Sequence, residues 1–300
     1  MSCAVPSPSA HAGPDTAPVR HVELAASGLS LSGLLAGPDA APPRAVLVAL
    51  HGGGMRASYF HGQADPRTSL LTLAANYGYA ALALDRPGYG NSAATLPDGM
   101  TLDGQADTVL EALTDYARQR PTGHGFFLVG HSLGGKVALT VAAKWRGAGL
   151  LGVDVSGVGN QWAVDAGSLI GADGRRTRGL HWGPLSLYPP RTFQHAERMV
   201  APMPATEAAE IPDWPGRYPE VARSVRVPVR LTFAEHERWW RCDAQAVESM
   251  AALLASPLVR TERQAHAGHN ISLGHTARSY HLRLLAFLDE CLVRQEMHVP

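Results

Sequence analysis

A serine set among glycines, Gly130-His131-Ser132-Leu133-Gly134-Gly135, stands directly after the apolar run Phe126 to Val129 and directly before the apolar stretch Val137 to Trp145. A strand that turns sharply into a helix needs glycine where side chains would collide. Such a turn holds its serine exposed in strained backbone at the helix N-terminus. There the helix dipole favours negative charge as it develops. A serine so placed is a nucleophile for acyl transfer once a base takes its proton; a serine that merely caps the helix is the plain structural alternative. A second glycine cluster, Leu50-His51-Gly52-Gly53-Gly54-Met55, follows another apolar run, Ala45 to Leu50. No side chain obstructs its backbone N–H groups, which with the N–H of Leu133 can hold an oxyanion. His51 in such a turn reads as structural rather than as the base.

Both turns need strands and helices to present them. Apolar runs of strand length, broken by Gly and Pro, lie at Val22 to Ala25, Leu29 to Leu35, Ala45 to Leu50, Tyr79 to Leu84 and Phe126 to Val129. Between the later runs apolar residues recur on one helical face, at Leu70, Leu71, Leu73 and Ala74, then at Val109, Leu110, Leu113, Tyr116 and Ala117. Strand alternating with helix predicts an α/β fold with a mostly parallel central sheet and helices on both faces. The alternation continues through a helix Leu133 to Trp145 and a strand Gly149 to Val153, then stops. Residues 157–225 are rich in Pro, Trp, Gly and Arg, and a structureless loop of that length is out of place in a compact domain. Short helices forming a cap are expected there, inserted before the penultimate strands. Strands at Val227 to Phe233 and Leu258 to Gln264 and helices at Asp243 to Leu254 and Thr276 to Val293 complete the pattern. The expected division is a disordered leader over 1–19, a core of 20–156 and 226–300, and the cap insertion over 157–225.

Lys plus Arg and Asp plus Glu each number 26, so the formal net charge is zero. That balance argues against a nucleic-acid binder that works by neutralising phosphates. No run reaches the length of a membrane span and the start lacks the pattern of a signal peptide, so a cytoplasmic protein is expected. Cys3, Cys242 and Cys291 have neither paired spacing nor a CxxC motif, and His266 with His269 lacks a third ligand, so neither disulfides nor a metal are expected. Lys136 and Lys144 are the only lysines in a chain rich in arginine.

With Asp85-Arg86-Pro87-Gly88-Tyr89-Gly90-Asn91-Ser92 added to the two glycine motifs, the chain from Val22 to Val293 resembles the α/β-hydrolase superfamily. That resemblance implies catalytic residues in the order serine, acid, histidine, with the histidine between the last strand and the last helix. Ala267-Gly268-His269-Asn270 fits, which makes His269 the base; His266 and His275 flank it as alternatives. Relatives commonly carry the acid in a Gly-x-x-Asp turn after the strand at Val227 to Phe233, where this chain reads Ala234-Glu235-His236-Glu237. Either carboxylate can orient an imidazole, so Glu237 is the chosen acid. Asp154, at the end of the preceding strand, is the competitor, with Glu235 and Asp243 behind it.

The resemblance implies a serine hydrolase that cleaves a carboxylic ester or thioester of a small molecule through an acyl-enzyme and needs no cofactor. Ser132 attacks, His269 moves the proton, Glu237 stabilises the imidazolium, and the N–H groups of Gly53 and Leu133 hold the oxyanion. An acyltransferase or cyclase, passing the acyl group to an alcohol or amine, shares every one of these features, and a non-catalytic ligand-binding relative would keep the pocket alone. Trp162, Trp182, Trp214, Tyr188 and Phe193 could line an aromatic pocket. Arg175, Arg176 and Arg178 either receive the phosphate or carboxylate of a carrier-bound or coenzyme A thioester or form a solvated basic turn. The sequence does not fix an oligomeric state.

Overall fold

The computed structural model describes residues 17–38, 41–62, 64–165, 174–194 and 196–298. Eight strands form one sheet: β1 (Arg20–Ala26), β2 (Leu29–Ala36), β3 (Val46–Leu50), β4 (Ala80–Leu84), β5 (Phe126–His131), β6 (Leu150–Ser156), β7 (Val229–His236) and β8 (Val259–Gly268). Their order is β1-β2-β4-β3-β5-β6-β7-β8, with β1 and β2 antiparallel at one edge and every pair from β4 to β8 parallel. The central strands β3 and β4 are VLVAL and AALAL, buried at every position. Strands covered on both faces have to be apolar throughout.

Alternate residues of β3 serve different layers. Val46, Val48 and Leu50 join one core and Leu47 and Ala49 the other, because successive side chains of a strand point to opposite faces. The first core is closed by α2 (Leu102–Gln119) and α3 (Leu133–Lys144), the second by α1 (Leu70–Asn76) and α10 (Ala277–His298). Burial on this scale, at roughly 25 cal/mol per Å² of apolar surface, is the main favourable contribution to folding.

Between β6 and β7 come α4 (Gly174–Trp182), α5 (Arg191–Gln194), α6 (Ala196–Met199), α7 (Ala205–Ala209) and α8 (Trp214–Ser224). These are of two kinds. The first four are short, while α8 buries Trp214, Tyr218, Val221 and Ala222 in the first core and returns the chain to the sheet. Pro215 is tolerated in the first turn of α8, where it gives up an N–H that has no intrahelical partner, whereas Pro219 stands inside the helix and costs it one backbone hydrogen bond. The last connection, between β7 and β8, holds α9 (Ala244–Ala252), capped by the Asp243 carboxylate on the Ala246 N–H at 3.1 Å. Residues 1–16 of the expected leader lie outside the described residues. No helix among the described residues is long and apolar enough to cross a membrane.

Candidate active site

Ser132 sits between β5 and α3 with φ 52° and ψ −120°, a conformation that side chains other than glycine's seldom adopt. Its glycine neighbours explain how the chain reaches it. A Cβ on Gly130 would run into the Cα of Gly135, and one on Gly134 into the carbonyl oxygen of Leu50. The Ser132 N–H donates to the Ser156 carbonyl at 2.8 Å, fixing the elbow to the next strand. The glycine turn after β3 packs against it: a Cβ on Gly52 would lie 3.3 Å from that of Ser132. Tyr89 takes the Gly54 N–H at 3.0 Å, whereas those of Gly53 and Leu133 have no hydrogen-bond partner among the described residues. These two donors are free to hold an oxyanion.

His51 is buried. Its Nε2 accepts the Arg86 backbone N–H at 3.1 Å and its Nδ1 donates to the Gly52 carbonyl at 2.8 Å, so both ring nitrogens are spent on the loop. Burial and the Arg86 guanidinium push its pKa well down, which keeps the ring neutral and lets Nε2 accept.

His269 follows the end of β8, and its side chain is 3% exposed. Its Nδ1 lies 2.7 Å from Glu237 Oε2, on a carboxylate that is 1% exposed at the turn after β7. The other oxygen, Oε1, accepts the backbone N–H groups of Arg238 at 3.0 Å and Trp239 at 2.9 Å. Burial alone would raise the Glu237 carboxyl, but the imidazole beside it, its hydrogen bond and the two N–H groups outweigh that and hold it below the usual range. Gly157 makes room for the ring: a Cβ there, at φ 65°, would lie 2.8 Å from His269 Cε1.

The other carboxylates and histidines named from the sequence are engaged elsewhere. Asp154 is fully buried with both oxygens taken, Oδ2 by the Arg230 guanidinium and Oδ1 by the Tyr280 hydroxyl at 2.6 Å. Glu235 accepts the His266 N–H at 2.7 Å and Asp243 caps α9. His266 and His275 are exposed.

Ser132, Leu133, Gly52, Gly53 and His269 border one cavity of about 280 Å³. Trp162 lines it, as the sequence suggests for a cap aromatic, and Trp239, Trp240, Met203 and Lys136 line it as well. Trp182, Tyr188 and Phe193 instead pack on one another, with ring centroids 5.1 to 6.0 Å apart. Trp214 is buried beneath, its Nε1 bonded to the Gly159 carbonyl at 3.0 Å. Arg178 is exposed, and the side chains of Arg175 and Arg176 lie outside those described. Sequence reasoning passed over Trp239 and Trp240, although their place two and three residues after Glu237 puts them at the same mouth. It also missed what Arg86 does. This buried guanidinium donates to the His51 carbonyl at 2.8 Å and clasps the Glu207 carboxylate of α7, so it ties the glycine turn to the helical insertion.

A profile of the alpha/beta hydrolase family matches residues 45–280. A 2-succinyl-6-hydroxy-2,4-cyclohexadiene-1-carboxylate synthase of Escherichia coli O157:H7 is 42% identical over 79 residues, 26% of this chain and 28% of the relative. The match therefore spans about a quarter of that relative's length. Among solved structures, a thermostable carboxyl esterase from Bacillus coagulans superposes with a TM-score of 0.67 at 15% identity, covering 91% of this chain and 99% of its own. A proline iminopeptidase from Mycobacterium smegmatis gives 0.61 at 19% identity, covering 92% of this chain and 100% of its own. At such identities these two likenesses concern the fold.

Proposed function

The chain belongs to the alpha/beta hydrolase family, and from that premise we propose that it is a serine hydrolase acting on a carboxylic ester or thioester of a small molecule. One observation carries the reading: His269, 2.7 Å from the buried Glu237 carboxylate, borders the cavity that Ser132 borders from strained backbone. With Glu237 holding the Nδ1 proton, Nε2 of His269 is the basic nitrogen and takes the Ser132 proton as the hydroxyl attacks. The N–H groups of Gly53 and Leu133 receive the oxyanion, which is stabilised without reorganisation because backbone already fixes them. The leaving group departs with the proton from His269, and water activated by the same nitrogen frees the acid from Ser132. No step calls for a cofactor, and the proposed setting is the cytoplasm.

The curated relative bears the name of a synthase. That favours keeping a second reading, in which an alcohol or amine, rather than water, captures the acyl group or the chain closes on itself. Turnover of 4-nitrophenyl butyrate in ¹⁸O-water tests both. Hydrolysis puts one labelled oxygen into the butyrate and requires Ser132. Release of nitrophenol that survives Ser132→Ala unchanged would refute both readings.

A further inference from the structure

Lys136 lies four residues after Ser132 on α3, about 6 Å along the helix axis at 1.5 Å per residue. It is 4% exposed, yet it borders the cavity that Ser132 borders. Among the described residues its ammonium has neither an ion pair nor a hydrogen bond. What surrounds it is aromatic: the rings of Trp240, Trp162 and Trp214 have their centroids 5.4, 5.5 and 5.6 Å from Nζ. The box is rigid, since Trp162 stacks on Trp240 at 3.8 Å and the indole N–H groups of Trp240 and Trp214 each hold a backbone carbonyl at 3.0 Å. Trp162 and Trp239, which line the cavity, have buried Nε1 atoms with no acceptor among the described residues.

An ammonium withdrawn from water with no carboxylate against it is expensive, and three ring faces return only part of that cost. A methionine or leucine would fill the space without it. Extra packing therefore does not account for Lys136, whereas a ligand that brings the missing charge does. Among the described residues that border the cavity Lys136 is the one Lys or Arg, which matches one negative charge, hence a carboxylate rather than a phosphate dianion. We infer that Lys136 is a specificity-determining residue that binds a carboxylate at the far end of the acyl chain, so that the substrates are half-esters or half-thioesters of dicarboxylic acids. This deepens the proposed acyl-transfer reading and rests on it.

The groups facing the amine set a pH signature. Glu207 approaches from α7 and Glu210 from the residue that follows it, each already paired, with Arg86 and with Arg217. His131, His181 and His269 border the cavity side. Burial pushes the Lys136 pKa down, the two glutamates pull it part of the way back, and it settles at about 7. The cation is present below that value and lost above it, so preference for an anionic substrate falls as pH rises.

The test compares 4-nitrophenyl hydrogen adipate with 4-nitrophenyl hexanoate, which have equal chain lengths and differ in the terminal carboxylate. We expect the adipate-to-hexanoate ratio of kcat/KM to drop at least about 10-fold in Lys136→Met, a ratio that cancels general damage to the enzyme. In the unmodified protein the same ratio should fall between pH 6 and 8.5, which needs no variant to fold. Binding of monomethyl adipate to Ser132→Ala, by calorimetry, should weaken about 10-fold when Lys136→Met is added. A ratio unmoved by the substitution and by pH, or equal binding by the two proteins, would overturn the carboxylate subsite. If binding depends on Lys136 but neither ester is turned over, the subsite stands and the acyl-transfer reading falls.

Discussion

Two buried carboxylates in this molecule answer burial in opposite ways. Asp154, in the middle of the sheet, faces Arg230, a cation that never titrates, and the Tyr280 hydroxyl of α10; it is sealed from solvent on every side. Glu237, at the open end of the neighbouring strand, faces His269 at a cavity wall. The first arrangement cannot relay a proton, because the guanidinium has no neutral form in reach. The second can pass a proton on, because an imidazole accepts one at one ring nitrogen while the other donates to the carboxylate. Position along the strands decides which is which: both acids follow apolar runs, but only the C-terminal ends of parallel strands open onto a site.

The largest expected effect lies with the sealed pair. Asp154→Asn leaves Arg230 buried with its main counter-charge gone, and loss of one partner of a buried pair costs about 3–5 kcal/mol of stability. Urea unfolding should show this, while turnover per folded molecule changes little. Glu237→Gln should do the reverse. An amide can donate to Nδ1 and favour the wrong tautomer, so turnover should fall at least roughly 100-fold, about 2.7 kcal/mol of barrier, with a smaller loss of stability than Asp154→Asn. If the two variants trade these phenotypes, the roles given to the two acids must be exchanged.

A smaller effect sharpens the contrast through pH. The folded carboxyl of Glu237 sits below its unfolded value, so its stabilising contribution is present above the unfolded pKa, roughly 4.3, and fades as pH falls through the folded one. The stability difference between the unmodified protein and Glu237→Gln should therefore be flat from pH 7 to about 5 and shrink below 4. A difference that grows on acidification would contradict the charged state assigned to Glu237.

The same contrast marks what was legible in the sequence. All eight strands could be placed, the central ones most plainly, since strands buried on both faces leave an unbroken apolar run bounded by Gly and Pro. The serine elbow and the glycine turn were legible because backbone geometry demands glycine there. Asp154 and Glu237 could not be told apart by type, since what distinguishes them is a partner 76 residues away for one and 32 for the other. The clasp of Arg86 on Glu207 spans 121 residues and left no local trace. Lys136 was noticed only as one of two lysines. Its setting depends on tryptophans from two separate connections, Trp162 and Trp214 between β6 and β7 and Trp240 between β7 and β8.

The central claim, that Ser132 is a nucleophile activated by the His269–Glu237 pair, is tested most directly by the mass and rate of its adduct with a fluorophosphonate. The account predicts one adduct, on the peptide carrying Ser132, forming at a rate unaffected by Asp154→Asn and greatly slowed by Glu237→Gln. An adduct that persists in Ser132→Ala, or one that forms equally fast in both acid variants, would contradict it.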